Sequence, residues 1–373
     1  MFFVKRQLLL ALALLAGASV LFGQDSLKTK KYFLLFNAHY GFIMAHNPNM
    51  DYLINSHIQA AEIDLIQPTS GEQQWERVYK NPEKGLGAYL ANLGDPQQLG
   101  FACGIFPFVN FPLNPGRKFK LYARAGNGIG LITKPYERLT NHKNNINGSY
   151  LNEFIYLRLN SVFNIAKDLR IEAGIGLTHL SNGNWAQPNL GINIATLNLS
   201  MAMHEYKKVN YKYVPAADSV PQRFSRRPFA SVIASAGLNE LNKRNGKKYG
   251  TYCLALFGWK PVSPKSRWGC GLDFFYDFGN IARSTEGSTY YTSKKDLSNI
   301  QAGVRLGYEI VVGKFTMPFE MGSYFFTKST ANGPLYHRVG LRCYVSKHLI
   351  LAYTLKTHWA TAENIEFGVG YRF

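Results

Sequence analysis

After residue 23 the chain has no apolar run of 18 or more residues, and its mean hydropathy is -0.16. That excludes a membrane protein built from spanning helices. Charge is scarce, at 17% of 373 residues, while aromatics reach 14%. A chain of this make-up can bury apolar surface that a disordered one cannot. Cysteine is rarer still: Cys103, Cys253, Cys270 and Cys343 form no C-x-x-C and no metal-ligand spacing. A zinc site and a redox dithiol fall away, and no cofactor or metal is expected. Cys253 and Cys270 could face each other across a hairpin; the alternative is four free thiols. Acidic residues number 23 against 42 Lys and Arg, a net charge of +19. The excess asks for an anionic partner. The basic residues follow no helix face and no aromatic recognition motif, so nucleic acid is not expected and anionic lipid is.

Lys5 and Arg6 precede the apolar run Leu8 to Leu15 and the small residues Gly17, Ala18 and Ser19. This predicts a secretory signal peptide over 1–23, cut near Gly23-Gln24, rather than a membrane anchor. Beyond it, period 2 recurs and period 3.6 does not. In 299–312, Ile300, Ala302, Val304, Leu306, Tyr308, Ile310 and Val312 alternate with polar residues or glycine, including Arg305 and Glu309. Twelve or more alternating residues exceed the usual soluble strand of about 5–6 and suit a tilted membrane strand. The 34 Gly, 23 Tyr and 25 Phe fit such strands and their aromatic girdles. The last strand, with Ile365, Phe367, Val369, Tyr371 and terminal Phe373 on one face, resembles the C-terminal assembly signal of bacterial outer-membrane barrels.

Sixteen strands are expected, from 31–45 to 362–373, an even number as single-chain bacterial barrels require. The weakest, 73–93, is interrupted by Pro82 and Gly85; without it the count drops to fourteen. The expected fold is all-β: one transmembrane antiparallel barrel over 24–373, undivided by any linker rich in Pro, Gly and Ser. The long connections 134–148, 241–247 and 281–295 then lie outside the cell, and 205–225 is an exception in length.

The chemistry concentrates in Thr178-His179-Leu180-Ser181-Asn182-Gly183, followed by Pro188-Asn189-Leu190-Gly191-Ile192. Two apart on a strand, His179 and Ser181 project from one face. They share parity with Ile171, Ala173, Ile175 and Leu177, so both continue the lipid-facing stripe, at the outward end of an odd-numbered strand. The bland alternatives are an interfacial histidine and a Ser-Asn-Gly-Asn turn.

This stretch resembles the signature of the PagL-like lipid A 3-O-deacylases, also called acyloxyacyl hydrolases. The resemblance covers roughly strands six to eight. It implies an outer-membrane serine esterase acting on lipid A of lipopolysaccharide in the outer leaflet, with Ser181 as nucleophile, His179 as general base and Asn189, near Asn182 and Gly183, at the oxyanion. One position departs: where the family has its acid, twelve residues after the serine, stands Asn193. Pair sums near 372 set Asn193 opposite His179, and sums near 334 set Glu153 opposite Ser181 and diagonal to His179. Glu153 is thus a second candidate for the acid, and Glu153→Gln is expected to slow hydrolysis more than Asn193→Ala. A non-catalytic pore or structural barrel, with Arg124, Arg158, Arg305 and Glu309 inside an open lumen, is the alternative function. Lys243, Arg244, Lys247, Lys248, Lys294 and Lys295 are either phosphate-binding loop charges or simply solvated. Oligomeric state is not readable.

Overall fold

The computed structural model describes residues 32–115, 119–166, 168–203, 224–241, 246–280, 297–329, 333–359 and 361–373. The expected signal segment lies outside them. Alternating side chains produce sixteen antiparallel strands. They close as two rings of eight and not as one of sixteen. The first ring comprises β1 (Phe33–Ile43), β2 (Ile58–Pro68), β3 (Glu83–Asn92), β4 (Phe101–Pro112), β5 (Lys120–Ile132), β6 (Leu151–Asn164), β7 (Leu169–Ser181) and β8 (Ile192–Met203). The second comprises β9 (Phe229–Glu240), β10 (Lys248–Ser263), β11 (Ser266–Asp277), β12 (Ile300–Val312), β13 (Phe315–Thr327), β14 (Leu335–Tyr344), β15 (Leu349–His358) and β16 (Thr361–Arg372).

Closure is set by which strands meet last. β8 returns to β1 in the register Phe36↔Met201 to Ile43↔Ile194, and β16 returns to β9 from Ile365↔Leu238 to Arg372↔Ser231. The single barrel over 24–373 is therefore corrected to two. Alternation is the same for a strand in a ring of eight or of sixteen, so period 2 does not report the ring's size. The overlong connection 205–225 falls between β8 and β9, which do not pair; 204–223 lie outside the described residues. By packing, Gly183–Gln187 group with the second unit.

An eight-stranded ring leaves an interior that side chains can fill, and here charged, paired residues share it with buried apolar ones such as Phe106, Phe154 and Phe275. In the first barrel Arg124 lies 2.7 Å from both Glu62 and Asp64, donates to Asn110 at 2.7 Å and covers the Phe108 ring at 3.6 Å. Arg158 donates to Asn37 at 2.8 Å and sits 3.4 Å from Glu172. In the second, Arg305 meets Glu320 at 2.7 Å and Asp273 at 3.2 Å, and Arg342 bridges Glu309 and Glu320 at 2.7 Å each. Buried charges persist because each has a partner. Packed ion pairs are not the lining of an open lumen, which corrects the pore-like interior. Outside, Leu34, Phe36, Leu157, Ile175, Leu197 and Leu199 are exposed, the wall a bilayer requires.

Two local expectations are also corrected. The 73–93 strand survives only as β3: residues before it form the short helix α1 (Gln74–Val78), and Lys80 and Asn81 turn the chain at φ 61° and 57°. Pro82 cannot donate to a ladder, so pairing starts at Glu83. Cys253 pairs with Phe275 and Cys270 with Gly258; one thiol is buried and the other exposed, so they do not face each other.

Connections 44–57, 93–100, 133–150 and 182–191 all gather at one end of the first barrel. Met50, Leu53, Leu99 and Ile146 are buried there. The loop ahead of β6 holds the loop ahead of β8: the Ile146 carbonyl accepts from the Leu190 amide at 2.9 Å, and Asn147 bridges to Asn189. That contact fixes where Asn189 stands.

Candidate active site

The register places the motif as the pair sums required. His179 lies opposite Asn193 and Glu153 opposite Ser181. His179 shares its parity with exposed Ile175 and Leu177, and Asn193 with exposed Leu197, Leu199 and Met201. Both residues are therefore on the outer wall, at the rim where the loops gather. His179 Nδ1 is 2.6 Å from Asn193 Oδ1. Since an amide oxygen only accepts, Nδ1 carries the proton and donates. Nε2 is then the basic nitrogen.

Ser181 and Asn189 form the second contact. Ser181 Oγ donates to Asn189 Oδ1 at 3.2 Å, and the Asn182 amide donates to the same oxygen at 3.0 Å. The backbone donor fixes the orientation of that side-chain amide, so Nδ2 is the group Asn189 has for donation elsewhere. Gly191, at φ +80°, draws the two halves together: a Cβ there would stand 3.1 Å from His179 Cε1 and 3.7 Å from Ser181 Cβ. A side chain at 191 would need a left-handed backbone and would press on the imidazole.

Glu153 is outward and half-buried, as its register implies. Asn127 Nδ2 donates to its Oε1 at 2.7 Å. On His179 Nδ1 the structure brings Asn193 and not Glu153. Gly183, at φ +61°, packs against Ile365 within the second unit; it shapes the turn and does not join the His179 cluster. Two neighbours of these residues were not anticipated, Asn127 and His46. His46 Nδ1 lies 3.1 Å from Asn193 Nδ2, and His46 Nε2 lies 3.0 Å from the Leu190 carbonyl. No sequence spacing links residue 46 to 193; the link is the closure of β8 on β1.

Below this cluster a groove of about 760 Å³ follows the wall, lined by Tyr40, Phe42, Leu157, Leu159, Leu177 and Leu197 among others. Of the proposed loop cations, Lys248 instead begins β10 and pairs with Glu240 at 2.9 Å, while Lys247 lies 5.1 Å over Tyr249. Lys243, Arg244, Lys294 and Lys295 lie outside the described residues. His358 is buried inside the second barrel, 2.8 Å from Glu363.

Residues 60–202 match the family model described as lipid A 3-O-deacylase (PagL), and residues 229–373 match the model described as acyloxyacyl hydrolase, C-terminal domain. The chain is PagL-like in both halves. With its two strand rings and apolar walls, this PagL-like chain is a protein of the bacterial outer membrane. Among solved structures, the outer membrane enzyme PagL is 17% identical at a TM-score of 0.31, over 44% of this chain and 97% of that one. Neisserial surface protein A is 6% identical at 0.35, over 46% and 96%. No curated protein matches the chain.

Proposed function

We propose that the first barrel is a serine esterase that removes an ester-linked acyl chain from lipid A in the outer leaflet. The observation that carries this reading is the His179–Asn193 contact on the outer wall, beside Ser181 and above an apolar groove. A histidine held in the Nδ1–H tautomer presents Nε2 as a base, and a hydroxyl two residues on is the nucleophile it would serve. Ser181 Oγ attacks the acyl carbonyl while His179 Nε2 takes its proton. Asn189, whose Oδ1 is held by the Asn182 amide, would turn its Nδ2 donor to the developing oxyanion. The imidazolium returns the proton to the departing sugar oxygen, leaving an acyl-serine. Water, deprotonated by His179, then releases the fatty acid and restores Ser181. No metal enters this sequence.

Asn193 in place of a carboxylate keeps the tautomer and gives up the charge, as in Cys-His-Asn sites. The reading therefore expects a working enzyme whose imidazolium is less stabilised than a carboxylate would make it. The pore alternative gains nothing from the paired charges inside each barrel. The deciding experiment is mass spectrometry of lipopolysaccharide incubated with the purified protein and with Ser181→Ala. The wild type should lose one ester-linked acyl chain, and the variant should lose none while still showing the heat-modifiable migration of a folded barrel. Equal deacylation by both would end the assignment of this site.

A further inference from the structure

An asparagine in the orienting position raises a problem that a carboxylate does not. A glutamate presents two equivalent acceptors, whereas an amide presents an acceptor on one side and a donor on the other. Turned one way, Asn193 Oδ1 accepts from His179 Nδ1–H and leaves Nε2 basic. Turned the other way, Nδ2 would donate to Nδ1, the proton would move to Nε2, and His179 could no longer take a proton from Ser181. Something must choose between the two.

We infer that His46 makes this choice, as a positioning residue that holds the Asn193 amide with its oxygen toward His179. His46 Nε2 faces the Leu190 carbonyl at 3.0 Å. A carbonyl only accepts, so Nε2 carries the proton and, in the neutral ring, Nδ1 is an acceptor. That acceptor is 3.1 Å from Asn193 Nδ2. The Met44 carbonyl also faces Nδ1 but at a longer 3.4 Å, so with Nε2 protonated the Asn193 amide is the partner that Nδ1 can accept from. A directed chain results: Asn193 Nδ2–H donates to His46, His46 Nε2–H donates to Leu190, and Asn193 Oδ1 accepts from His179. The backbone supports it, because the Met44 amide donates to the Asn193 carbonyl at 2.8 Å and so ties the segment leading to His46 to the start of β8. Leu190 is itself pinned through its amide to Ile146 at 2.9 Å. The tautomer of the base is thus referred through two side chains to a fixed carbonyl.

This inference rests on the esterase reading, and its test separates the two. Fatty-acid release from lipopolysaccharide in detergent micelles is measured for the full chain carrying His46→Ala, His46→Gln and His46→Lys, and for His46→Ala combined with Asn193→Glu. Loss of one orienting hydrogen bond should lower kcat about tenfold with KM little changed. Gln, whose amide oxygen can replace the imidazole acceptor, should restore most of the rate, and Lys, which offers none, should behave as Ala. With a carboxylate at 193 there is no amide to orient, so His46→Ala should then cost less than about twofold. A His46→Ala variant as fast as wild type, or one equally slowed in both backgrounds, overturns the inference and leaves the esterase intact. Full hydrolysis by Ser181→Ala removes the esterase and this inference with it.

Discussion

At the scale of the residue, a missing charge is replaced by a fixed geometry. Asn193 reaches His179 Nδ1 at 2.6 Å, while Glu153 spends a carboxylate oxygen on Asn127. The expected order of substitutions therefore reverses the one the sequence suggested. Asn193→Ala should slow acyl release by about 10²-fold or more, the scale on which an oriented base acts, whereas Glu153→Gln should stay within about threefold. Asn193→Glu should raise the rate, since a carboxylate stabilises the imidazolium as well as orienting it. Steady-state release of fatty acid by the three variants checks this; a larger loss from Glu153→Gln would return the acid's role to Glu153. The register and facing of the candidate site's residues were legible beforehand, because hairpin pair sums follow from turn length and parity follows from the two-residue repeat. His46 was not. It reaches Asn193 through the pairing of the first strand with the eighth, a contact that no local pattern encodes.

At the scale of the element, each strand has an apolar face for lipid and a buried face, mixed in polarity, for its neighbours across the barrel. Strand existence was legible from alternation, and β3 shrank most, where Pro82 delays the ladder until Glu83. What alternation does not tell is that the inner faces meet. Arg124 on β5 ties down Glu62 and Asp64 on β2, across the barrel. Removing it would leave the two buried carboxylates with only the more distant Arg158, at 3.6 and 3.8 Å, and breaking such a pair costs about 3–5 kcal/mol. Arg124→Ala is therefore expected to destabilise the first barrel by that order, read as a lower urea midpoint in detergent. An unchanged midpoint would mean that water reaches these carboxylates, and the packed interior would have to be abandoned.

At the scale of the molecule, the consequential error of the one-barrel expectation lies in closure, because a ring has no sequence mark where its last strand meets its first. The one hint was the connection 205–225, too long for a periplasmic turn, which reads naturally as the join between two closed sheets. A closed ring has no open edge and needs no partner strand. All ladder bonds of β1 to β8 are made among themselves, and His46, His179, Ser181, Asn189 and Asn193 all belong to the first unit. The first barrel should therefore fold without the second. A chain ending at residue 223 lacks the terminal Phe373, so it is to be refolded into detergent micelles and not judged by assembly in cells. It should show heat-modifiable migration and release fatty acid within about tenfold of the full chain, a margin of roughly 1.4 kcal/mol in the barrier. A truncated chain that folds but loses hydrolysis beyond that margin would make the second barrel a participant in the reaction, and one that does not fold at all would mean that the rings are not independent units of stability.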